Sequence, residues 1–127
     1  VMEGVISGTQ YAEPFTAQQQ ALKERYLAKY GPPFVADTIG QSTSWEMLFE
    51  AIELAGTWET QALVNTLRTT EFDTISGKAH YGGKEFYGID NAPLYPLWIG
   101  TAKGGKIVHL DAIETGANYP PPSVLQD

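Results

Sequence analysis

The sequence has no cysteine, few cations and no long apolar run. Without cysteine, a disulfide scaffold and a thiolate-ligated metal site are both excluded. The 8 Lys and Arg residues against 15 Asp and Glu residues give a formal net charge of −7, so the chain lacks the excess of cations that binds nucleic acid or anionic membranes. The apolar runs are only a few residues long, whereas a membrane-spanning helix needs about 20. We therefore expect no nucleic-acid partner and no membrane span.

The composition that is present is that of a globular protein. The chain has 127 residues, of which 43% are hydrophobic and 18% are charged. That length suffices for one domain with its own core. Val1 precedes Met2, and neither a basic nor an apolar leader segment follows. We expect a chain that was processed or is part of something longer, and the lack of cysteine leaves its compartment open.

Two helices have clear end signals. Thr16, with a glutamine three residues later, has the spacing of a capping box, and Gly31 followed by two prolines ends the first helix. Another helix is predicted from Thr57 or Thr60 to Arg68. Because proline cannot continue a helix, the end of the first helix at Gly31 is the better defined of the two ends.

The helix between these two has the strongest apolar pattern. It ends at Gly56, and its start is open: Thr43 with Glu46 forms a second capping box, but the helix can also begin near Asp37 and carry Gly40 inside. Its spacing predicts one apolar stripe for the core, with the glutamates pointing away. The stripe contains Trp45, Leu48, Phe49, Ile52 and Ala55.

Short strands are predicted on both sides of the helices. Val5 and Ile6 lie between glycines, and two apolar runs at 94–102 and 106–110 are joined by the hairpin signal Lys103-Gly104-Gly105. A further strand-like pattern contains Phe72, Ile75, Ala79 and Tyr81. These strands are too few to form a sheet that three helices can cover. We therefore expect some partner strands to come from outside this chain.

Residues that could support catalysis are sparse. His80 and His109 lack the local spacing of a metal site, so ordinary strand histidines are the favoured interpretation. Glu71 and Asp73 share a face if they lie on a strand, and a solvated carboxylate pair is favoured there over a catalytic one. We predict no catalytic residue, no metal and no cofactor. A small hydrolase that uses either histidine is the least favoured alternative.

Two aromatic residues are candidates for a ligand cleft. Tyr11 follows a strand end, where open α/β sheets place ligands, and Trp45 lies on the most regular helix. Aromatic side chains provide a large contact area with few rotors. Core packing is the favoured interpretation for Trp45, whereas for Tyr11 the sequence leaves core packing and cleft lining equally open.

Long stretches of the chain resemble a known family of receptors. They read FTAQQQALKERYLAKYGPPFVADTIGQSTSWEMLFEAIELAG and ALVNTLRTTEFDTISGKAHY, followed by GIDNAPLYPLWIGTAKGGKIVHL. In this order they are similar to the carboxyl-terminal third of periplasmic solute-binding proteins of the leucine/isoleucine/valine-binding type, the receptors of ABC importers. The resemblance covers about residues 2–110, and the last stretch resembles the family's closing hairpin.

The resemblance implies an α/β fold, a portion of the two-lobed type I periplasmic-binding-protein fold. In that fold two parallel-sheet lobes are joined by three hinge crossings and hold the solute between them. Residues 1–11 would end the second lobe and cross the hinge, and residues 12–85 would supply first-lobe helices and a strand. Residues 86–112 would cross back and form a second-lobe hairpin, and residues 113–127 would be an extended tail. The rest of the fold would belong to a companion chain or a missing segment.

The resemblance also implies a function and a set of contact residues. We expect non-catalytic binding of a small polar solute (an amino acid, an amide or a small carboxylic or aromatic acid) for delivery to an ABC permease of the inner membrane. The location would be periplasmic or otherwise extracytoplasmic. The position where the family often places an aromatic residue is Ser42 here, with Gln41 before it and Trp45 one turn later, and Tyr11 lies on a crossing segment. A cytosolic ligand sensor on the same fold, which regulates a partner protein, is the alternative.

Overall fold

The computed structural model describes residues 3–9, 14–84 and 88–113. Three helices and six strands lie within these residues. In chain order they are β1 (Ile6–Thr9), α1 (Ala17–Tyr30), α2 (Asp37–Ala55), α3 (Thr60–Thr69), β2 (Glu71–Thr74), β3 (Gly77–Gly82), β4 (Ala92–Leu94), β5 (Leu97–Lys103) and β6 (Lys106–Ile113).

Helix α1 has the ends that its sequence predicts. The Thr16 hydroxyl accepts a hydrogen bond from the Gln19 backbone N–H at 3.1 Å. At the other end, Gly31 has φ of +73° and donates its N–H to the Leu27 carbonyl at 2.9 Å. A side chain with a Cβ is strained in that backbone conformation, which is why glycine ends the helix.

Helix α2 begins at Asp37, which is the second of the two predicted starts, so the alternative start with a capping box at Thr43 is wrong. Thr43 is fully buried in the helix interior, where its hydroxyl donates to the Ile39 carbonyl at 3.1 Å and lies 2.6 Å from the Ser76 hydroxyl. A threonine inside a helix can bond the carbonyl four residues earlier, which removes the cost of burying its hydroxyl. The Thr43 side chain therefore joins α2 to the residues after β2 instead of starting the helix.

The two faces of α2 differ from the prediction. Ile39, Thr43, Met47 and Ala51 recur every four residues and are buried. The predicted core stripe does not form the buried face, because Trp45 is 57% exposed and Phe49 is 56% exposed. A shift of two residues is a rotation of about 200° around a helix, so the two sets lie on opposite sides. The helix thus has one apolar face that the described residues cover and one that they leave open.

The core is small and lies between α2 and the β2–β3 hairpin. Phe72 and Ala79 are opposite each other in the hairpin, and both are fully buried. They pack with Met47 and Ala51 of α2. The half-buried residues against this cluster are Leu67, Tyr81 and Tyr95. Helix α3 has no buried residue, so it only borders the core.

Two three-stranded sheets are formed, one in the order β1-β5-β6 and the other in the order β2-β3-β4. The predicted β5–β6 hairpin is confirmed, with a turn at Gly104 and Gly105, both at positive φ. The predicted first run of that hairpin is divided, because Leu94 ends β4 and pairs with His80 while β5 begins at Leu97. All pairs between the described strands are antiparallel, so the parallel strands of the expected lobes are not among them.

Many large apolar side chains are exposed in the described part of the chain. They lie on the β1-β5-β6 sheet, on the helices and in the connections, and none of them lies on the β2-β3-β4 sheet. They are Val5, Ile6, Tyr30, Val35, Trp45, Phe49, Leu54, Trp58, Ile89, Ile107, Val108 and Leu110. Single exposed apolar residues are normal on a protein surface. Here they outnumber the buried apolar residues of the core, which agrees with the prediction that the strands are too few to cover three helices.

Candidate functional site

Three of the four candidate contact residues lie together in the amino-terminal half of α2. Gln41 is exposed, Trp45 is largely exposed, and the half-buried Ser42 donates its hydroxyl hydrogen to the Thr38 carbonyl at 2.9 Å. We call the side of α2 that carries Gln41, Ser42, Trp45 and Phe49 the open face. Tyr11, the fourth candidate, lies outside the described residues.

The open face presents a flat aromatic surface beside polar groups. The rings of Trp45 and Phe49 stack at 5.7 Å between centroids, one turn apart on the helix. Gln41 lies one turn before Trp45 and adds an amide that can both donate and accept hydrogen bonds. The arrangement can contact a small amphipathic molecule, but it forms one wall only. A second wall has to come from elsewhere.

The orientation of α2 is fixed by a set of buried polar contacts that the sequence did not reveal. Glu46 accepts a hydrogen bond from the Ile75 backbone N–H at 2.8 Å. From α1, the Gln19 side chain donates to the Ile75 carbonyl at 2.9 Å and accepts from the Phe15 N–H at 2.9 Å. With the Thr43–Ser76 contact, these bonds hold the turn after β2 between two helices. In the sequence, the only sign of these contacts is a polar residue on the side of a helix where an apolar residue is expected.

We expect Gln19→Leu to destabilise the chain by about 1–3 kcal/mol, because the Ile75 carbonyl and the Phe15 N–H lose their partner. Gln19 is 2% exposed, so water does not readily replace the lost bonds. Gln20→Leu is the matched control, since Gln20 is exposed and bonds only to Glu24 in the same helix. Urea unfolding followed by circular dichroism measures both. Equal midpoints for the two variants would show that the buried contacts do not stabilise the fold.

A groove of about 690 Å³ lies between α1, α2 and the β2–β3 hairpin. Its carboxylates are already engaged: Glu46 binds the Ile75 N–H, and Asp73 pairs with Lys78 at 2.8 Å. None of the three described candidate residues lines it. The lining residues are Gln18, Ala21, Arg25, Glu46, Asp73, Thr74 and Ile75. We therefore do not assign the predicted contacts to this groove.

The predicted carboxylate pair is an exposed ion-pair cluster. Lys78 lies opposite on β3, with its ammonium 2.8 Å from Asp73 and 3.3 Å from Glu71. The hydrogen bonds to Asp73 and then to Glu71 raise the pKa of Lys78 above its usual value. Two exposed carboxylates that pair with the same lysine have similar surroundings, so nothing assigns one the role of acid and the other that of base. The solvated interpretation favoured by the sequence agrees with this geometry.

The two histidines do not come together. His80 lies on β3, and His109 lies on β6 in the other sheet. The His109 ring contacts Phe15 at 4.4 Å and Trp98 at 5.2 Å between centroids, and its buried Nε2 atom has no hydrogen-bond partner among the described residues. Among residues 3–9, 14–84 and 88–113, no group of three His, Asp or Glu side chains is placed to hold a metal ion.

The helices themselves give no sign of a membrane-spanning segment. None of the described helices combines the length and apolar character needed to cross a bilayer.

Several solved structures are similar to this chain. A periplasmic ligand-binding protein of a branched-chain amino acid ABC transporter from Burkholderia xenovorans matches with a TM-score of 0.72 and 17% identity over 90% of this chain. A leucine-binding protein from Thermotoga maritima matches with a TM-score of 0.62 and 20% identity, also over 90% of this chain. A solute-binding protein of an ABC transporter from R. palustris, in complex with benzoate, matches with a TM-score of 0.62 and 19% identity over 91% of this chain.

The similarity covers only part of each of these proteins. This chain spans 31% of the Burkholderia protein and 32% of each of the other two. No protein-family model matches the chain, and no curated protein matches its sequence. At these identities the structural matches show the fold alone, and they confirm the fold class that the sequence resemblance implies.

Proposed function

We propose that this chain, which has the fold of about one third of a type I periplasmic binding protein, binds a small polar solute without catalysis. The observation that supports this most is the TM-score of 0.72 to a periplasmic ligand-binding protein over nine-tenths of the chain. The absence of a grouped catalytic set among the described residues is compatible with such a role. The solute would be delivered to an ABC permease, in an extracytoplasmic location.

The binding site in this proposal is a cleft between two lobes. Residues 1–11 and 86–112 would belong mainly to the second lobe and its crossings, residues 12–85 to the first lobe, and residues 113–127 to a tail. The two sheets support this division, because the chain passes between them through the segment after Thr9 and again at Tyr95 and Pro96. Since β4 pairs with β3, we place the second crossing at Tyr95 and Pro96.

The contacts to the solute would come from both polar and aromatic groups. Gln41 and Ser42 would supply hydrogen bonds, Trp45 would provide a flat apolar surface, and Tyr11 would reach the cleft from a crossing. Affinity would arise from desolvation and from convergent hydrogen bonds as the lobes close around the solute. Ser42 is smaller than the aromatic residue often found at this position of the family, which leaves room for a broader solute than a branched aliphatic side chain.

Two of the similar proteins support a choice of solute chemistry. One is described as a leucine-binding protein and another as a complex with benzoate. Leucine and benzoate both combine a carboxylate with an apolar body. We therefore propose a small amphipathic carboxylate, such as an amino acid or an aromatic acid, as the solute of this chain.

The test uses the completed protein, by which we mean this chain together with the polypeptide that supplies the rest of the fold. We expect its melting temperature to rise with L-leucine, L-valine or benzoate, because a solute that binds only the folded state stabilises it by mass action. At 100 times the dissociation constant the gain is about 2.7 kcal/mol. Differential scanning fluorimetry measures the shift, with glucose as a polar control that lacks a carboxylate. No shift with any of the three carboxylates at millimolar concentration would contradict the proposal.

A further inference from the structure

Three aromatic rings join the β1-β5-β6 sheet to the start of α1. Trp98 lies on β5 and His109 on β6, whereas Phe15 directly precedes Thr16, the cap of α1. Between centroids, the Phe15 ring lies 5.6 Å from Trp98 and 4.4 Å from His109. The Trp98 and His109 rings lie 5.2 Å apart, so each ring contacts the other two. We call these three residues the ring cluster.

Phe15 is also connected to the other sheet, through its backbone. Its N–H donates to Oε1 of Gln19 at 2.9 Å, and Nε2 of Gln19 donates to the Ile75 carbonyl at 2.9 Å. Gln19 is buried, so these two bonds are shielded from water. Ile75 follows β2, a strand of the β2-β3-β4 sheet. A continuous path of contacts therefore runs from one sheet through the ring cluster and Gln19 to the other, and such a path can couple their positions.

The ring cluster contains a polar atom that opposes the contact. Nε2 of His109 is buried and has no hydrogen-bond partner among the described residues. A buried polar atom without a partner costs about 1–3 kcal/mol, and this cost disappears when the atom reaches water. Each aromatic pair contributes about 0.5–1.5 kcal/mol beyond the burial of its area. Because these opposing contributions are of similar size, the contact is close to balance with an arrangement in which Phe15 has moved away and His109 is hydrated.

We infer that the ring cluster sets the angle between the two sheets of this chain and that it can open, with Phe15 moving away from Trp98 and His109. In the proposed function the two sheets belong to different lobes, so opening of the ring cluster accompanies movement of the lobes, and this consequence rests on that proposal. The contact itself is measured without any solute. Failure of the inference is therefore distinguishable from failure of the proposed function.

The test measures the distance between the two parts of this chain by electron spin resonance. Spin labels are attached at Glu53→Cys in α2 and Lys106→Cys in β6, two exposed positions in a chain that has no other cysteine. In the doubly labelled chain we expect one main distance and a second population of about 10%. Adding Phe15→Ala is expected to broaden the distribution, because the contact is lost. Adding His109→Phe is expected to leave the main distance alone, because no unpartnered nitrogen remains.

Tyr30→Ala is the matched control and is expected to leave the distribution unchanged. Tyr30 is an aromatic residue at the other end of α1, where it is exposed and contacts Tyr26. An unchanged distribution with Phe15→Ala would overturn the inference, and so would a second population that persists with His109→Phe.

Circular dichroism shows whether each variant keeps its helices. If Phe15→Ala unfolds the chain, Phe15→Leu replaces it, because leucine keeps most of the apolar volume without the ring. We then expect Phe15→Leu to fold and to broaden the distance distribution. A folded Phe15→Leu chain with the unchanged distribution would overturn the inference.

Discussion

Replacing Phe72 with alanine is expected to remove most of the chain's folding stability. Phe72 is fully buried and packs with Met47, Ala51 and Ala79, which form the hydrophobic core between α2 and the hairpin. Truncation of a buried phenylalanine costs about 3–5 kcal/mol, through lost burial and the cavity that remains. Stabilities of natural domains are about 5–15 kcal/mol, and a core of this size places the chain at the low end.

Urea unfolding of this chain measures the effect, and Phe49→Ala is its matched control. The same substitution at Phe49 is expected to cost no more than about 0.5 kcal/mol, because that side chain is 56% exposed here. The contrast tests which face of α2 holds the chain together. If Phe49→Ala cost as much as Phe72→Ala, the assignment of the two faces would be wrong.

Replacing Trp45 with alanine is expected to weaken solute binding by the completed protein about 10–100-fold. Under the proposed function Trp45 is the aromatic wall of the cleft, and truncation of a buried contact tryptophan commonly costs 2 kcal/mol or more, or about 30-fold in affinity. The expected loss is in affinity, with the chain still folded, because Trp45 is not part of the core cluster.

Isothermal titration with L-leucine or benzoate measures this loss, using whichever of the two stabilises the completed protein. Trp58→Ala is the control, since Trp58 is 77% exposed and lies after the end of α2, away from the open face. An unchanged dissociation constant for Trp45→Ala would remove Trp45 from the site. An equal loss for both variants would indicate a general effect on folding.

The helix ends could be predicted from the sequence because their signals are local. Thr16 and Gly31 act within a few residues of the helix that they bound, and each makes the predicted backbone contact. The start of α2 could not be decided in the same way. Thr43 has the spacing of a cap, but its hydroxyl is satisfied by Ile39 in the same helix and by Ser76 across the fold. That distant partner has no local signature.

Local sequence patterns also could not identify which face of α2 is buried. The helix is apolar on two sides, and periodicity alone cannot say which side meets the core that is present. Trp45 and Phe49 are the larger residues, so the pattern favoured them, whereas the structure buries the smaller Met47 and Ala51. The choice is made by the hairpin residues Phe72 and Ala79, which lie far from α2 in sequence and pack with Met47 and Ala51.

The candidate site was predictable only in part. The resemblance placed Gln41, Ser42 and Trp45 close together, and the helix brings them to one side. The contacts that orient this side, from Gln19 and Glu46 to Ile75, join residues far apart in sequence. Such contacts depend on how the helices pack, which a single sequence does not specify.

Hydroxyl-radical footprinting of the completed protein, with and without the stabilising carboxylate, tests the central claim most directly. It reports the solvent exposure of individual aromatic side chains. We predict that Trp45 becomes protected when the solute binds and that Trp58 reacts equally in both states. A Trp45 side chain that reacts equally with and without the solute would contradict the cleft.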